Sequence, residues 1–220
     1  MLFDVAVGDS TIPAVGHAGK TGWVYILDRR TGRQIRRSDP FIPLENIFPT
    51  PTRAGVRASP AVRGGSNWPP PAYSPRTGLL YMLGSYVPML FVLDSAVSPK
   101  KNRELFTYAR FEQLPDSLQF GTFSAIDVST GTIRWQKKVP GHLMYGDALA
   151  TEGGLVFFGE ISGWLNALDA ETGETLWRYR AGQGYVGPPI SFLVDGRQRI
   201  AITSMQGITV LGLPVGRSPT

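Results

Sequence analysis

The chain has 220 residues, 42% hydrophobic and 18% charged, with 26 glycines and 18 prolines recurring between short apolar runs. That is one large domain or two small ones with enough apolar material for a core, and the punctuation describes many turns and an all-β protein, not a disordered tail. The net charge of +5 comes from scattered Lys and Arg without a basic helix or an aromatic–basic stripe, which argues against a nucleic-acid partner; the absence of cysteine excludes disulfides and cysteine-ligated zinc or haem.

In chain order, the opening MLFDVAVGDS carries neither a basic leader nor a long apolar stretch, so no signal peptide is visible. No apolar run anywhere approaches the roughly 20 residues of a membrane helix. LFDVAV reads as the middle of a strand, as in an incomplete reading frame, and leads into TIPAVGHAGKTGWVYIL. A tight turn follows at Asp28, and the basic stretch from Arg29 to Arg37 in and after it reads as solvated. RGGSNWPPPAYS is a rigid, irregular loop built from Gly64, Gly65, Asn67, Trp68 and three prolines, running into a strand. After the turn PRTG comes the strand LLYMLG, then a polar segment, 93–120, expected as an inserted surface loop with a helical turn at most. The strands GTFSAI, TIRW, DALATE, GLVFFGE, GWLNAL and ETLW follow, and PISFLV, QRIAIT and GITVLGL close the series.

Three of the turns share one pattern. Asp28, Asp127 and Asp169 are each followed at the same offsets by Thr31, Thr130 and Thr172 and by Gly32, Gly131 and Gly173, and Trp135 and Trp177 recur at one position beyond the last two turns. Asp and Thr side chains can accept backbone N–H bonds inside a tight turn, and Gly supplies positive φ. The second and third copies lie 42 residues apart, the length of a four-stranded propeller blade. The pattern predicts a partial β-propeller occupying residues 1–220, about three and a half four-stranded antiparallel blades ending near 37, 138, 181 and 214. Trp135 and Trp177 are expected to wedge between neighbouring blades. The fourth strand of the last blade is not evident.

Chemistry-bearing residues are sparse. His17 and His142 stand 125 residues apart with no triad partner, and GKT at 19–21 lacks the upstream glycine of a phosphate loop and precedes a strand instead of a helix. Two features remain. Lys20 lies in a glycine-flanked turn before a strand, where an ordinary solvated lysine is the plain alternative. The loop containing Asn67 and Trp68 lies where propellers bind ligands, or else it packs only on its own Trp.

The segments AVGHAGKTGWVYILDRRTG, GGSNWPPPAYSPRTGLLYM, AIDVSTGTIRWQ, EGGLVFFGEISGWLNALDAETGETLWRYRAGQG and ITVLGLP together resemble the C-terminal part of the pyrroloquinoline quinone (PQQ)-dependent dehydrogenases, eight-bladed quinoproteins acting on alcohols, methanol or glucose. The order is the family's, and the likeness covers most of the chain. The resemblance implies oxidation of an alcohol, sugar or polyol by hydride transfer to the quinone, with calcium as Lewis acid. It also implies an electron acceptor, a quinone or a cytochrome, and a periplasmic location. It places Lys20 beside the quinone oxygens, Asn67 on the cofactor from the other side, Trp68 in the wall, and Phe158 at an aromatic position near the cofactor. The family's base, metal ligands and stacking Trp belong to an N-terminal half with no counterpart here, so no catalytic or metal-binding residue is assigned, and the 220-residue chain is expected to be inactive alone. The missing half, or self-association, is the expected partner. The competing reading is a non-catalytic repeat propeller of the outer-membrane assembly type, acting as an interaction scaffold.

Overall fold

A computed structural model describes residues 1–93, 109–141, 146, 148–180, 184 and 187–214. Among them are eighteen strands and a single 3-10 turn, Asp116–Leu118. The expectation of an all-β fold built from four-stranded antiparallel sheets holds. Blade 1 is formed by β1 (Leu2–Val7), β2 (Ser10–Ala18), β3 (Val24–Asp28) and β4 (Gln34–Arg37) in sequential order. LFDVAV pairs with β2, as the reading of a strand leading into TIPAVGHA requires.

An accessory sheet and blade 2 follow, interleaved in sequence. The accessory sheet has the order β5 (Val56–Ala58), β8 (Met89–Leu93), β9 (Ala109–Gln113). Blade 2 consists of β6 (Ala72–Ser74), β7 (Leu79–Tyr86), β10 (Phe120–Asp127) and β11 (Ile133–Val139), in the order β11-β10-β7-β6. The segment 93–120 therefore contains a strand as well as the short helical turn: β9 pairs with β8 over Met89–Gln113 to Leu93–Ala109. Its aromatic Phe111 stacks edge-on against Phe91 at 4.9 Å, a cross-strand pair that a polar average conceals. Residues 94–108 of that segment, and His142, lie outside the described residues.

Blade 3 is β12 (Ala148–Ala150), β13 (Leu155–Gly159), β14 (Trp164–Asp169) and β15 (Thr175–Arg180); β16 (Ile190–Val194), β17 (Arg197–Ser204) and β18 (Gly207–Gly212) form the three-stranded fourth sheet.

Each repeated turn is built as its residue types dictate. Asp28, Asp127 and Asp169 accept the N–H two residues on through Oδ1 at 2.8, 2.8 and 2.9 Å. Thr31, Thr130 and Thr172 do the same through Oγ1, each at 3.2 Å. The glycines sit at φ +72°, +83° and +73°. All three hairpins carry a register shift just before the Asp, at Ile26/Leu27, Ala125/Ile126 and Ala167/Leu168. A five-residue turn with an extra left-handed residue produces such a bulge and sharpens the local twist.

The core lies between the blades. Alternate residues of one strand serve two interfaces: Leu80 and Met82 of β7 join Phe3, Val24 and Ile26 of blade 1, while Leu79, Tyr81 and Leu83 join Phe123, Val156 and Phe158 towards blade 3. Every residue of β7 is buried, which explains its unbroken apolar run. Burial of such side chains contributes about 1.5–3 kcal/mol each, against about 1 kcal/mol net for a turn hydrogen bond, so interblade packing dominates stability.

Trp135 docks as expected. Its Nε1–H donates to the Ala170 carbonyl at 3.1 Å, and its ring lies where a Cβ on Gly173 would come within 2.6 Å. Glycine is needed there both for φ and for the close approach. Trp177 faces the next cleft, of about 670 Å³, with Leu155, Phe157, Ile200 and Leu211, yet stays 43% exposed.

Candidate functional site

Lys20 sits at the crown of the β2–β3 connection, where Gly19 N–H donates to Trp23 O at 3.1 Å and Gly22 N–H to Gly19 O at 3.2 Å. The long connection from blade 1 to blade 2 folds over this turn. Phe41 and Ile42 of that connection are buried, and Ile42 and Leu44 fill the space a Cβ on Gly22 would occupy. Thr122 Oγ1 and Gln136 Nε2 both donate to the Phe41 carbonyl, at 2.9 and 3.0 Å.

Further along, the Gly64–Gly65 pair reaches the lysine. A Cβ on Gly65 would lie 2.6 Å from both Lys20 Cα and Lys20 O, and Gly65 has φ +76°; no other residue type allows the two backbones to meet this closely. Ser66 N–H donates to Gly19 O at 3.3 Å, and Gly65 and Ser85 exchange two backbone bonds of 2.9 Å. The Lys20 ammonium donates to the Val62 carbonyl on the same loop, and partial burial lowers its pKa from the ordinary lysine value.

The two motifs singled out in the sequence thus form one surface. Lys20 and Asn67 are both exposed, and chain connectivity keeps the Asn67 Cα within about 8 Å of Gly65. Trp68 is 78% exposed beside them. Phe158 belongs elsewhere: it is buried and stacked on Phe123 at 4.2 Å in the core between blades 2 and 3.

Two polar clusters escaped the sequence reading. Glu45, Arg57 and Tyr86 meet where the long connection joins the end of β7, with Arg57 Nε 2.6 Å from Glu45 Oε2. In blade 3, buried Glu160 accepts from Ser162, Asn166 and Arg178 at 2.7, 2.8 and 3.1 Å, and the Arg178 guanidinium lies 4.3 Å from the Trp164 ring centre. Both oxygens of that buried carboxylate accept hydrogen bonds within the blade, one of them from a guanidinium, as a buried carboxylate demands. The first cluster has no spacing signature, because its members come from separate segments; the second joins the β13–β14 turn to β14 and β15.

Among the described residues no group of three or more His, Cys, Asp or Glu could hold a metal ion. The described residues therefore offer no ready set of ligands for calcium or a related ion. A quinone fits in part: the surface offers a cation and an amide on apposed loops.

Residues 39–200 match the family model described as the glucose/ethanol/alcohol dehydrogenase β-propeller domain, PQQ. The chain is 33% identical to the quinoprotein alcohol dehydrogenase PedE of Pseudomonas putida, over 92% of this chain and 36% of that protein. It is 31% identical to the lanthanide-dependent methanol dehydrogenase of Methylacidiphilum fumariolicum, over 94% of this chain and 37% of that protein. A quinohemoprotein alcohol dehydrogenase structure from Pseudomonas putida HK5 superposes with a TM-score of 0.81 at 22% identity, covering 94% of this chain and 34% of that one. The chain spans little more than a third of the length of the curated relatives it matches. A propeller fold, a family match over residues 39–200 and a 33% identical relative covering 92% of the sequence make this chain a member of the PQQ-dependent alcohol dehydrogenase β-propeller family.

Proposed function

We propose that this chain supplies the lysine-and-asparagine side of a PQQ site that, in the complete protein, oxidises an alcohol. The observation that carries the reading is the apposition of Gly65 on the Lys20 backbone, which gathers two separate family motifs into one surface. When bound, PQQ accepts the hydride equivalent leaving the carbinol carbon of the substrate. The chain's own residues act electrostatically and by shape. Lys20 holds an ammonium beside the quinone oxygens, where negative charge develops. The overlying loop partly buries that ammonium, which strengthens its hydrogen bonds. Asn67 supplies a neutral amide from the facing loop, and Trp68 offers an apolar wall. Phe158 supports the blade core.

Alcohols are favoured over sugars because the relatives are named for alcohols, PedE and the methanol dehydrogenase among them. The metal, calcium or a lanthanide, and the general base come from the part of the relatives this chain does not span. A cytochrome-type or quinone acceptor and a periplasmic location complete the proposal.

The test is a dye-linked assay of the purified chain with PQQ and either calcium or lanthanum, using ethanol, glucose and glycerol. No turnover is expected from the chain alone. Adding the separately expressed N-terminal two-thirds of PedE should restore ethanol oxidation, and Lys20→Ala should then lower it by about 10²-fold or more. Turnover by the monomeric 220-residue chain, or a restored activity indifferent to Lys20, would refute the assignment.

A further inference from the structure

The loop that carries Asn67 is tied down at three points. Glu45 and Ser59 exchange backbone bonds of 2.7 and 2.6 Å, Gly65 and Ser85 exchange two of 2.9 Å, and Ser66 N–H reaches Gly19 O at 3.3 Å. One charged cluster spans the first two ties. Arg57 Nε meets Glu45 Oε2 at 2.6 Å. Arg57 Nη2 donates to the Tyr86 hydroxyl at 2.9 Å, and the Tyr86 O–H donates to the Glu45 carboxylate. Each member comes from a different segment: Glu45 is itself half of the first tie, Arg57 lies in β5 just before Ser59, and Tyr86 follows Ser85, half of the second. The Tyr86 ring is in turn set by Phe120, 4.8 Å away.

We propose that Glu45, Arg57 and Tyr86 are positioning residues whose cluster sets the 59–67 loop against the Lys20 turn, and so fixes the spacing of the lysine and asparagine that grip the quinone. This rests on the reading of Lys20 and Asn67 as cofactor contacts. The chemistry of the cluster suits the task. A guanidinium is a planar fork that engages two partners at fixed angles. Arg57 Nη2 donates both to Glu45 Oε1 at 3.3 Å and to the Tyr86 hydroxyl, while Nε lies beside Glu45 Oε2, so one guanidinium holds a carboxylate on one segment and a phenol on another, and the phenol closes the triangle. The Arg57 and Glu45 side chains are 40% and 31% exposed, and a pair so open to solvent contributes little to global stability. Its effect is therefore local, on the loop it orients. Lys20 senses that loop directly, because its ammonium donates to the Val62 carbonyl and its lowered pKa comes from burial there.

The prediction is read on the full 220-residue chain without cofactor, in Glu45→Gln, Arg57→Lys and the milder Tyr86→Phe. Amide exchange at Gly65, Ser66 and Ser85 should rise about tenfold through local opening, with the β13–β14 amides unchanged. The Lys20 titration, followed by the 13Cε shift in lysine-labelled protein and assigned with Lys20→Arg, should move up towards an ordinary lysine. Arg57→Lys should behave like the other variants despite keeping the charge, since a lysine ammonium lacks the second nitrogen that sits on the Glu45 carboxylate. A purely structural cluster would lower the melting temperature and leave native-state exchange at the loop and the Lys20 titration unmoved, and that result would overturn the proposal. If a variant does not retain its sheet circular dichroism, Tyr86→Phe decides. Adding PQQ to the native chain separates the two readings: a quinone that leaves the Lys20 13Cε shift unperturbed at saturating concentration counts against the cofactor contact, and the exchange data alone decide the positioning role.

Discussion

The aspartates of the repeated turns show how much one side chain can organise. Asp169 accepts from Glu171 N–H at 2.9 Å, from Thr172 N–H at 2.8 Å and from the Thr172 hydroxyl at 3.0 Å. These bonds, the Thr172 amide foremost, lower its pKa from the ordinary aspartate value. A carboxylate with a folded pKa below its unfolded value contributes stability that is present above the unfolded value, about 3.9, and is lost as pH falls through the folded pKa. Asp169→Asn keeps an oxygen acceptor and loses the titration. The melting temperature of the variant should therefore fall less steeply than that of the native chain between about pH 5 and pH 2, measured by circular dichroism; parallel pH profiles would contradict the role given to this carboxylate.

At the scale of an element, one motif gives two outcomes because docking needs two partners. Trp135 lies against the Gly173 turn and beside Tyr81 and Phe123, with ring centres 5.9 and 5.7 Å away. Trp177 occupies the same place on β15 and stacks along its own strand, on Tyr179 at 5.7 Å. Urea denaturation should show Trp135→Ala costing about 3 kcal/mol, as for a large core truncation. Trp177→Ala should cost under about 1 kcal/mol, as for a largely exposed site. Equal costs would mean that the indole acts within its own blade and not across the interface. At the first junction Arg36 stands where the tryptophan would be. There Asp39 makes the connection, its N–H donating to Gly131 O at 2.8 Å and its carboxylate accepting from Ile133 N–H at 3.2 Å.

For the whole molecule, the fourth sheet sets the behaviour of the isolated chain. Ile190, Leu193, Ile208, Val210 and Leu213 are 54%, 70%, 71%, 54% and 86% exposed, and β18 ends the described sheet order with β17 as its neighbour. A long apolar edge strand recruits other strands. Light scattering across a micromolar concentration series should show association, and Ile208→Lys with Val210→Lys should reduce it while preserving the sheet circular dichroism. A native chain that is monomeric throughout that range would show that this edge is protected.

What the sequence determined by itself was local and periodic. Asp-x-x-Thr-Gly encodes its turn through bonds to residues two positions away, and alternating apolar residues encode strands, so the blades and their order were legible from these short-range patterns. Lys20 and the Asn67 loop were legible as motifs. Their meeting was decided by tertiary structure, because it depends on a 45-residue connection wrapping back onto the turn and on Gly65 admitting the Lys20 backbone. The accessory strand β9 was concealed for the same reason: its only partner, β8, lies across an intervening stretch of chain. The Glu45–Arg57–Tyr86 triangle joins positions up to 41 residues apart, and Phe158 reads identically as a cofactor neighbour or a core residue until the blade facing it is present. Chemistry carried by hydrogen bonds within a few residues is written in order along the chain, whereas chemistry carried by packing between segments exists only once the segments have met.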